Sequence, residues 1–473
     1  MKRIFQSPTS LGRRRSNRSA SSARQHLGLR QPSADFETTH RATLGSRFTF
    51  HVSRPFPIVA AFATAIIFLT HPAAAANYIT HEWGTFTSVQ GSDGNLLSWR
   101  PLQSSELPKF VYSTKEIPFA VGKGALITLQ RLETPVIYFY AKEPMQVDVD
   151  VSFPKGFITE WYPQVTTLNP THEITNGPIE FVQSESRAIW RGLDILPEVR
   201  YATLLRTNQL PQDSTGSHYF AARATSANLV RATITTNNTT ELEKFIFYRG
   251  AGSFKTPLRV TLDTNNLVTV ENTGAQPLAH LFLLNIHDGQ GSFAVLDELA
   301  SSNSVHWQQL SDTSGEHWNR FDLPQFKTAI ADQMQTALIS AGLYPDEAAA
   351  MVNTWKDSWF TEDGVRVLYL LPRPWTDEIL PLTLTPQPAE LTRVMVGRAE
   401  VITPPVVNNL FQLLSTAQAG DANAQAQAIG ELKHLGRFSD PALQLAMSHT
   451  TNTTLINFSY QLLRPPQPAS KFE

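Results

Sequence analysis

Short apolar stretches with alternating polar residues dominate the chain between residues 77 and 299. In VDVDVSF (147–153), valine and phenylalanine alternate with aspartate and serine, and this period of two predicts a half-buried antiparallel strand. The stretch LRVTLDTNNLVTVENTG (258–274) predicts two strands joined by a turn, and LAHLFLLNIHDGQG (278–291) predicts a buried strand that ends at an Asp-Gly turn. We therefore predict one or two antiparallel β-sandwiches over 77–299.

After residue 300 the spacing of the apolar residues becomes helical. Apolar residues recur every four positions from Phe326 to Leu338, which predicts one helix. A second helix is predicted where Met351, Trp355 and Trp359 share one face.

Strand patterns return in VRVLYLLP (365–372) and LTRVMVGRAEVIT (391–403). The first is apolar almost throughout, which is typical of a strand buried on both faces. Residues 300–403 are therefore predicted to form a mixed α/β region, and the helical pattern of 404–473 predicts a small C-terminal helical bundle. The predicted fold class is α+β, with the β-sandwich region first.

The first 76 residues differ from the rest of the chain. Positions 1–55 contain 11 Lys and Arg but only two acidic residues, and this Ser- and Arg-rich composition predicts a disordered basic leader. Within 56–76 an apolar run is followed by small residues at Ala74 and Ala76, which is the pattern of a cleaved signal peptide. The alternative is an uncleaved membrane anchor over 58–76. Export to the periplasm or the extracellular space is predicted in the first case.

Charge and cysteine content narrow the classes of function. Without the leader, acidic residues exceed basic residues by about 11, so nucleic acid is not expected as a partner, because phosphate binding requires a clustered basic surface. The chain has no cysteine, which excludes disulfides, thiolate metal sites and a cysteine nucleophile. Membrane contact is expected only through the N-terminal segment, if it is not cleaved.

The stretch NYITHEWGTFTSVQGSDG (77–94) concentrates residues that carry chemistry. It differs from the zinc-protease motif H-E-x-x-H, because Thr85 occupies the position of the second histidine. In a strand, the side chains of His81 and Trp83 point to one face and that of Glu82 to the other. These three residues either pack in the core, with the imidazole hydrogen bonded, or form a ligand-binding site.

Three stretches resemble one group of proteins. HEWGTFTSVQGSDG (81–94) resembles the opening of a group of uncharacterised exported bacterial proteins, and FIFYRGAG (245–252) and SWFTEDGVRVLYLLPRPWTDEILPL (358–382) resemble later parts of the same group. The resemblance spans most of the chain after the leader. It implies an exported protein and supplies no catalytic chemistry.

The stretch PRPWTDE (372–378) is a second candidate binding site. It follows a predicted buried strand, and its two prolines fix their backbone φ angles. We expect a stiff loop that holds Arg373, Trp375 and Asp377 for contact with a sugar ring or a peptide. The alternative is that Trp375 fills a junction in the core while Arg373 pairs with Asp377.

Two functions follow from these patterns. The first is an exported binding or assembly protein of the cell envelope or the extracellular space, with a polysaccharide or a peptide as its ligand. The second is a metal-assisted hydrolase of an extracellular polymer that uses His81, Glu82 and His172, since histidine and carboxylate groups bind zinc and manganese. The sequence identifies no cofactor, and the first function is the favoured hypothesis.

Overall fold

The computed structural model describes nine segments of the chain, and all of them belong to one unit, Thr70–Glu473. The described segments are 76–102, 107–113, 126–169, 186–197, 210–214, 216–234, 238–264, 267–307 and 320–463. The predicted leader, the predicted signal or anchor as far as residue 75, and His172 lie outside these segments. Within them, every helix is too short or too polar to span a bilayer.

The described segments contain 19 strands that form three sheets. The strands are β1 (Ala76–Gly91), β2 (Tyr112–Ser113), β3 (Gln130–Ala141), β4 (Met145–Phe153), β5 (Gly156–Tyr162), β6 (Thr167–Asn169), β7 (Ser186–Leu196), β8 (Leu229–Ile234), β9 (Thr239–Glu243), β10 (Ile246–Gly252), β11 (Leu258–Leu262), β12 (Val268–Asn272), β13 (Leu278–His287), β14 (Gln290–Leu299), β15 (Ser304–Trp307), β16 (Phe321–Asp322), β17 (Gly364–Leu370), β18 (Leu382–Thr385) and β19 (Pro388–Ile402).

The largest sheet has ten strands in the order β16-β14-β13-β17-β19-β1-β3-β10-β5-β2. Its two central strands, β1 and β19, pair in parallel, and the strands beside them pair antiparallel. Strands from both sides of the predicted boundary at residue 300 are neighbours in this sheet, because β17 lies between β13 and β19. The second sheet contains β4, β6, β7, β8, β9 and β18, and the third contains β11, β12 and β15.

The strands predicted from the period-two pattern are present. VDVDVSF forms most of β4, and its three valines and its phenylalanine are buried. The two strands predicted within 258–274 are β11 and β12, which pair antiparallel. The alternation of apolar and polar residues therefore predicted these strands correctly, because each strand places one face against a core and the other nearer to solvent.

Each face of the ten-stranded sheet borders its own apolar core. One core contains residues from all three sheets, including Phe86 and Tyr248 of the large sheet and Trp190 of the second. The other core joins the opposite face of the large sheet, through Trp83 and Leu368, to the two long helices. Strand β1 therefore has a buried environment on both faces.

Seven α-helices occur in the described segments, and their positions confirm a mixed α+β protein with a helical C-terminal region. They are α1 (Leu323–Ser340), α2 (Pro345–Phe360), α3 (Arg373–Ile379), α4 (Pro404–Gln418), α5 (Ala422–Leu435), α6 (Ser439–Met447) and α7 (Thr453–Leu463). The residues of α1 that recur every four positions from Phe326 to Leu338 are buried, as their spacing predicts. The helices α4 to α7 share a third core with Val89, Trp99 and Ile402.

The prediction of a loop at PRPWTDE is wrong, because Arg373–Ile379 is the helix α3. The prolines that we expected to stiffen a loop suit a helix start equally well. Pro374 lies in the first turn, where its fixed φ is helical and its missing N–H has no partner to lose. Arg373 and Asp377 then lie one turn apart and form an ion pair.

Trp355 and Trp359 of α2 provide a test of the helix packing. Both are buried, and their rings stack at a centroid distance of 6.3 Å. We expect Trp359→Ala to lower the free energy of unfolding by about 3–5 kcal/mol, as truncation of a buried aromatic side chain does. Urea denaturation measures this change. The control is Ile339→Ala, whose side chain is exposed and which should change stability by less than about 0.5 kcal/mol. Equal losses for the two variants would contradict the packing.

Candidate functional site

Strand β1 separates two clusters of polar side chains. Successive side chains of a strand point to opposite faces, so Glu82 lies on the face that borders the three-sheet core, while His81 and Trp83 lie on the face covered by α1 and α2. All three are fully buried. Their role as ligand-binding residues stays a prediction, and their burial gives each a structural role.

The first group, the Glu82 cluster, consists of Glu82, Tyr248, Arg393, Asp377 and Arg373. Glu82 Oε1 accepts a hydrogen bond from Tyr248 Oη at 2.5 Å, and Glu82 Oε2 accepts one from Arg393 Nε. Arg393 Nη1 donates to Asp377 Oδ1 at 2.8 Å, and Arg373 Nε donates to both oxygens of Asp377 at 2.8 Å. The cluster therefore joins the two stretches singled out in the sequence.

Arg393 is, with Tyr248, a residue of this cluster that sequence analysis missed. It lies opposite Glu82 in the parallel register of β1 and β19, 311 residues away in sequence. The sequence does contain a signal for Arg393: it is an arginine within an apolar strand, and a buried arginine needs an acidic partner. The sequence does not show which of the acidic residues is that partner.

Burial and charge fix the protonation states of Tyr248 and Arg393 in the Glu82 cluster. Burial by itself lowers the pKa of Arg393, but Glu82, Tyr248 and Asp377 together outweigh burial, and the pKa of Arg393 lies above its usual value. Burial raises the pKa of Tyr248 far above its usual value, and the Glu82 carboxylate raises it further. Tyr248 therefore remains a neutral donor and Arg393 a cation at neutral pH.

The cluster runs from the core to the surface. The side chains of Glu82 and Arg393 are 0% exposed, whereas those of Arg373 and Asp377 are 39% and 45% exposed. Arg373 Nη1 also donates to the backbone oxygen of Leu391 at 2.8 Å. The outer pair is therefore held by bonds that lead back to the central strands.

Trp375 packs inward from the same helix. Its ring lies 5.4 Å from the ring of Phe86 and 5.8 Å from that of Phe254, measured between centroids. These contacts place Trp375 against the three-sheet core. This geometry matches the alternative in which Trp375 fills a junction and Arg373 pairs with Asp377.

The second group, the His81 cluster, consists of His81, Glu347, Tyr140 and Tyr344. His81 Nδ1 lies 2.7 Å from Glu347 Oε2, and Tyr140 Oη donates to Glu347 Oε1 at 2.7 Å. The backbone N–H of Tyr344 also donates to Glu347 Oε2, at 2.8 Å. Glu347 is fully buried at the start of α2, so its carboxylate ties β1 and β3 to that helix.

A third group of charges lies where α2 ends. Arg366 and Arg398 donate to backbone oxygens of Trp359 and Ser358 at 3.0 and 3.1 Å, which satisfies carbonyl groups that a helix end leaves free. Arg437, between α5 and α6, donates to Glu133 Oε1 at 2.7 Å. This arginine cluster connects the C-terminal helices to the large sheet.

The described residues contain no group of three metal-ligating side chains. His81 and Glu82 point to opposite faces of β1, so they do not converge on one ion. The hydrolase hypothesis needs His172 near His81, and it stays a prediction because His172 lies outside the described segments.

The sequence matches no protein-family model and no curated protein. Among solved structures, the chain is similar to the Fcho1 mu homology domain from Danio rerio with bound Eps15 peptide, with a TM-score of 0.27 and 7% identity over 69% of this chain and 98% of that chain. It is also similar to the yeast delta-COP-I mu-homology domain, with a TM-score of 0.25, 6% identity and the same coverage. At these scores the similarity assigns neither a family nor a ligand.

The buried pair of Glu82 and Arg393 gives a stability prediction. Glu82→Gln removes the negative charge and leaves a buried arginine without its closest counter-ion, so we expect a loss of about 3–5 kcal/mol in the free energy of unfolding. The control is Glu378→Gln at an ion pair whose carboxylate is 65% exposed, where the loss should stay below about 1 kcal/mol. Urea denaturation of both variants measures these losses. A loss of stability in Glu82→Gln as small as that in Glu378→Gln would contradict the stabilising role of the Glu82–Arg393 pair.

The carboxylate of Glu362 gives a prediction about the stability of the fold at acidic pH. Burial opposes its charge, but Arg398, Arg437 and Arg366 together outweigh burial and hold the pKa of Glu362 at about 2, below the usual 4.5. Its charged form therefore stabilises the fold fully above about pH 4.5, and this contribution is lost as the pH falls towards 2. We expect the stability difference between the parent and Glu362→Gln, measured with urea over a pH series, to shrink across that window. A difference independent of pH would contradict this.

Proposed function

We propose that the protein is an exported binding or assembly protein of the cell envelope or the extracellular space, and that it binds a peptide on the surface of α3. The observation that supports this most directly is the bond from Arg393 to Asp377. It fixes a half-exposed ion pair to the two central strands of the largest sheet. The signal-like pattern of 56–76 supports export.

The hydrogen bonds that the buried carboxylates of Glu82 and Glu347 accept favour a binding function over hydrolysis. Both carboxylate oxygens of Glu82 and both of Glu347 accept hydrogen bonds from within the protein. A general acid or base must reach the substrate, directly or through one water molecule. These two buried carboxylates are instead committed to holding strands and helices together.

The surface of α3 has the properties of a pre-organised contact. Asp377 accepts bonds from two arginines, so little of its rotamer freedom remains to be lost on binding. The adjacent Glu378 pairs with Lys155 at 2.7 Å, and both side chains are about half exposed or more. The surface therefore offers cations and anions side by side, which complements the mixed charges and amide groups of a peptide.

A peptide fits this surface better than a polysaccharide does. Stacking of a sugar ring requires an open aromatic face, whereas the ring of Trp375 is packed against Phe86 and Phe254. We infer that the scaffold beneath is a β-sandwich, which is supported by the apolar core that the ten-stranded sheet shares with the two smaller sheets.

Selection from a phage-displayed random peptide library on the purified exported protein tests the proposal. We expect selected peptides to bind the parent in isothermal titration calorimetry and to bind Asp377→Asn about tenfold more weakly, a loss typical of a contact residue at an interface. The matched control is Lys327→Gln, which breaks the ion pair of Lys327 with Asp357 elsewhere on the surface and should leave affinity unchanged.

Two results would overturn the proposal. One is that no peptide is enriched, or that Asp377→Asn and Arg373→Gln bind the selected peptides as the parent does. The other is a stoichiometric transition metal in elemental analysis together with hydrolysis of an envelope polymer. Melting temperatures of all variants, measured on the same samples, separate lost contacts from lost folding.

A further inference from the structure

The His81 cluster contains a buried nitrogen for which the described part of the chain provides no partner. His81 Nε2 has almost no exposed surface and no hydrogen bond there. The imidazole is nevertheless oriented, because Nδ1 lies 2.7 Å from the Glu347 carboxylate. A carboxylate only accepts, so Nδ1 carries the proton, and in the neutral imidazole Nε2 is then an acceptor.

Two aromatic rings pack against the His81 imidazole. The ring of Tyr344 lies 4.4 Å from that of His81, and the ring of Tyr140 lies 5.6 Å away, measured between centroids. Tyr140 and Tyr344 are each only partly buried, and their rings meet edge to face at 4.9 Å. The imidazole that carries this acceptor therefore packs against a pair of partly exposed tyrosines.

Acidic groups surround these tyrosines. Burial raises the pKa of Tyr344, and the carboxylates of Glu390, Glu347 and Asp346 raise it further. Glu390 is exposed, whereas Glu347 is fully buried. The partial positive charge of the α2 N-terminus, about half an elementary charge, is smaller than the summed negative charge of these three residues.

We propose that His81, Tyr140, Tyr344, Glu347 and Glu390 form a binding site for a cationic N–H donor, specifically the guanidinium group of an arginine side chain. The donor supplies the hydrogen bond that His81 Nε2 lacks, the tyrosine rings provide cation–π contact, and the carboxylates provide the opposite charge. Entry requires rotation of Tyr344, the residue that precedes the first turn of α2.

This site is separate from the proposed peptide surface and does not rest on it. The side chains of His81 and Glu82 point to opposite faces of β1, and α3 is linked to Glu82. Asp377→Asn, which tests the α3 surface, should therefore leave the affinity for an arginine probe unchanged. Failure of one proposal is thus distinguishable from failure of the other.

Titration of the ¹⁵N-histidine-labelled protein with N-acetyl-arginine amide tests the site by NMR. We expect a saturable shift of the His81 Nε2 resonance, which is assigned by its loss in His81→Asn. N-acetyl-citrulline amide has the same shape without the charge and should bind at least about tenfold more weakly, the difference expected when a charge-assisted hydrogen bond is lost. N-acetyl-aspartate amide should not shift this resonance.

Variants on the surface complete the test without disturbing the core. Glu390→Gln should weaken arginine-amide binding by about threefold, since it removes an exposed counter-charge, while Glu298→Gln, at an exposed position on β14, should not. Equal affinity for the arginine and citrulline probes, a shift of His81 caused by the aspartate probe, or no shift with millimolar arginine amide would each overturn the proposal.

Discussion

The parallel pairing of β1 with β19 is the contact on which the rest of the structure depends. These strands occupy the centre of the ten-stranded sheet, and the ion pair of Glu82 with Arg393 joins them at its core. A buried charge without a partner costs far more free energy than a change of register that only exchanges one apolar contact for another. The pair therefore opposes any register except the one in which these two residues face each other.

Both polar clusters follow from that register. Because Glu82 points to one face, its neighbour His81 points to the other and meets Glu347 of α2. The same strand thus anchors α3 on one side, through Arg393, and α2 on the other. The charged and aromatic residues near the surface owe their positions to two adjacent residues in the middle of the sheet.

Local pattern predicted much of the fold and only part of the site. Alternation located β4, β11 and β12, and helical spacing located α1 and α2, because these signals reflect burial of one face of an element. PRPWTDE was assigned to a loop because prolines fix the same φ in a stiff loop and in a first helical turn. The partners of His81 and Glu82 were not predictable, since Glu347 and Arg393 lie 266 and 311 residues away.

The placement of β1 and β19 also has a consequence for the nascent chain during synthesis. The chain is made from its N-terminus, so the innermost strand of the sheet emerges among the first described elements, and the strand that completes its pairing emerges near residue 400. Until then one edge of a 16-residue, largely buried strand has no native neighbour. Contacts so distant in sequence form slowly. This edge of β1 therefore stays open to non-native contacts for most of the time that the chain takes to be made.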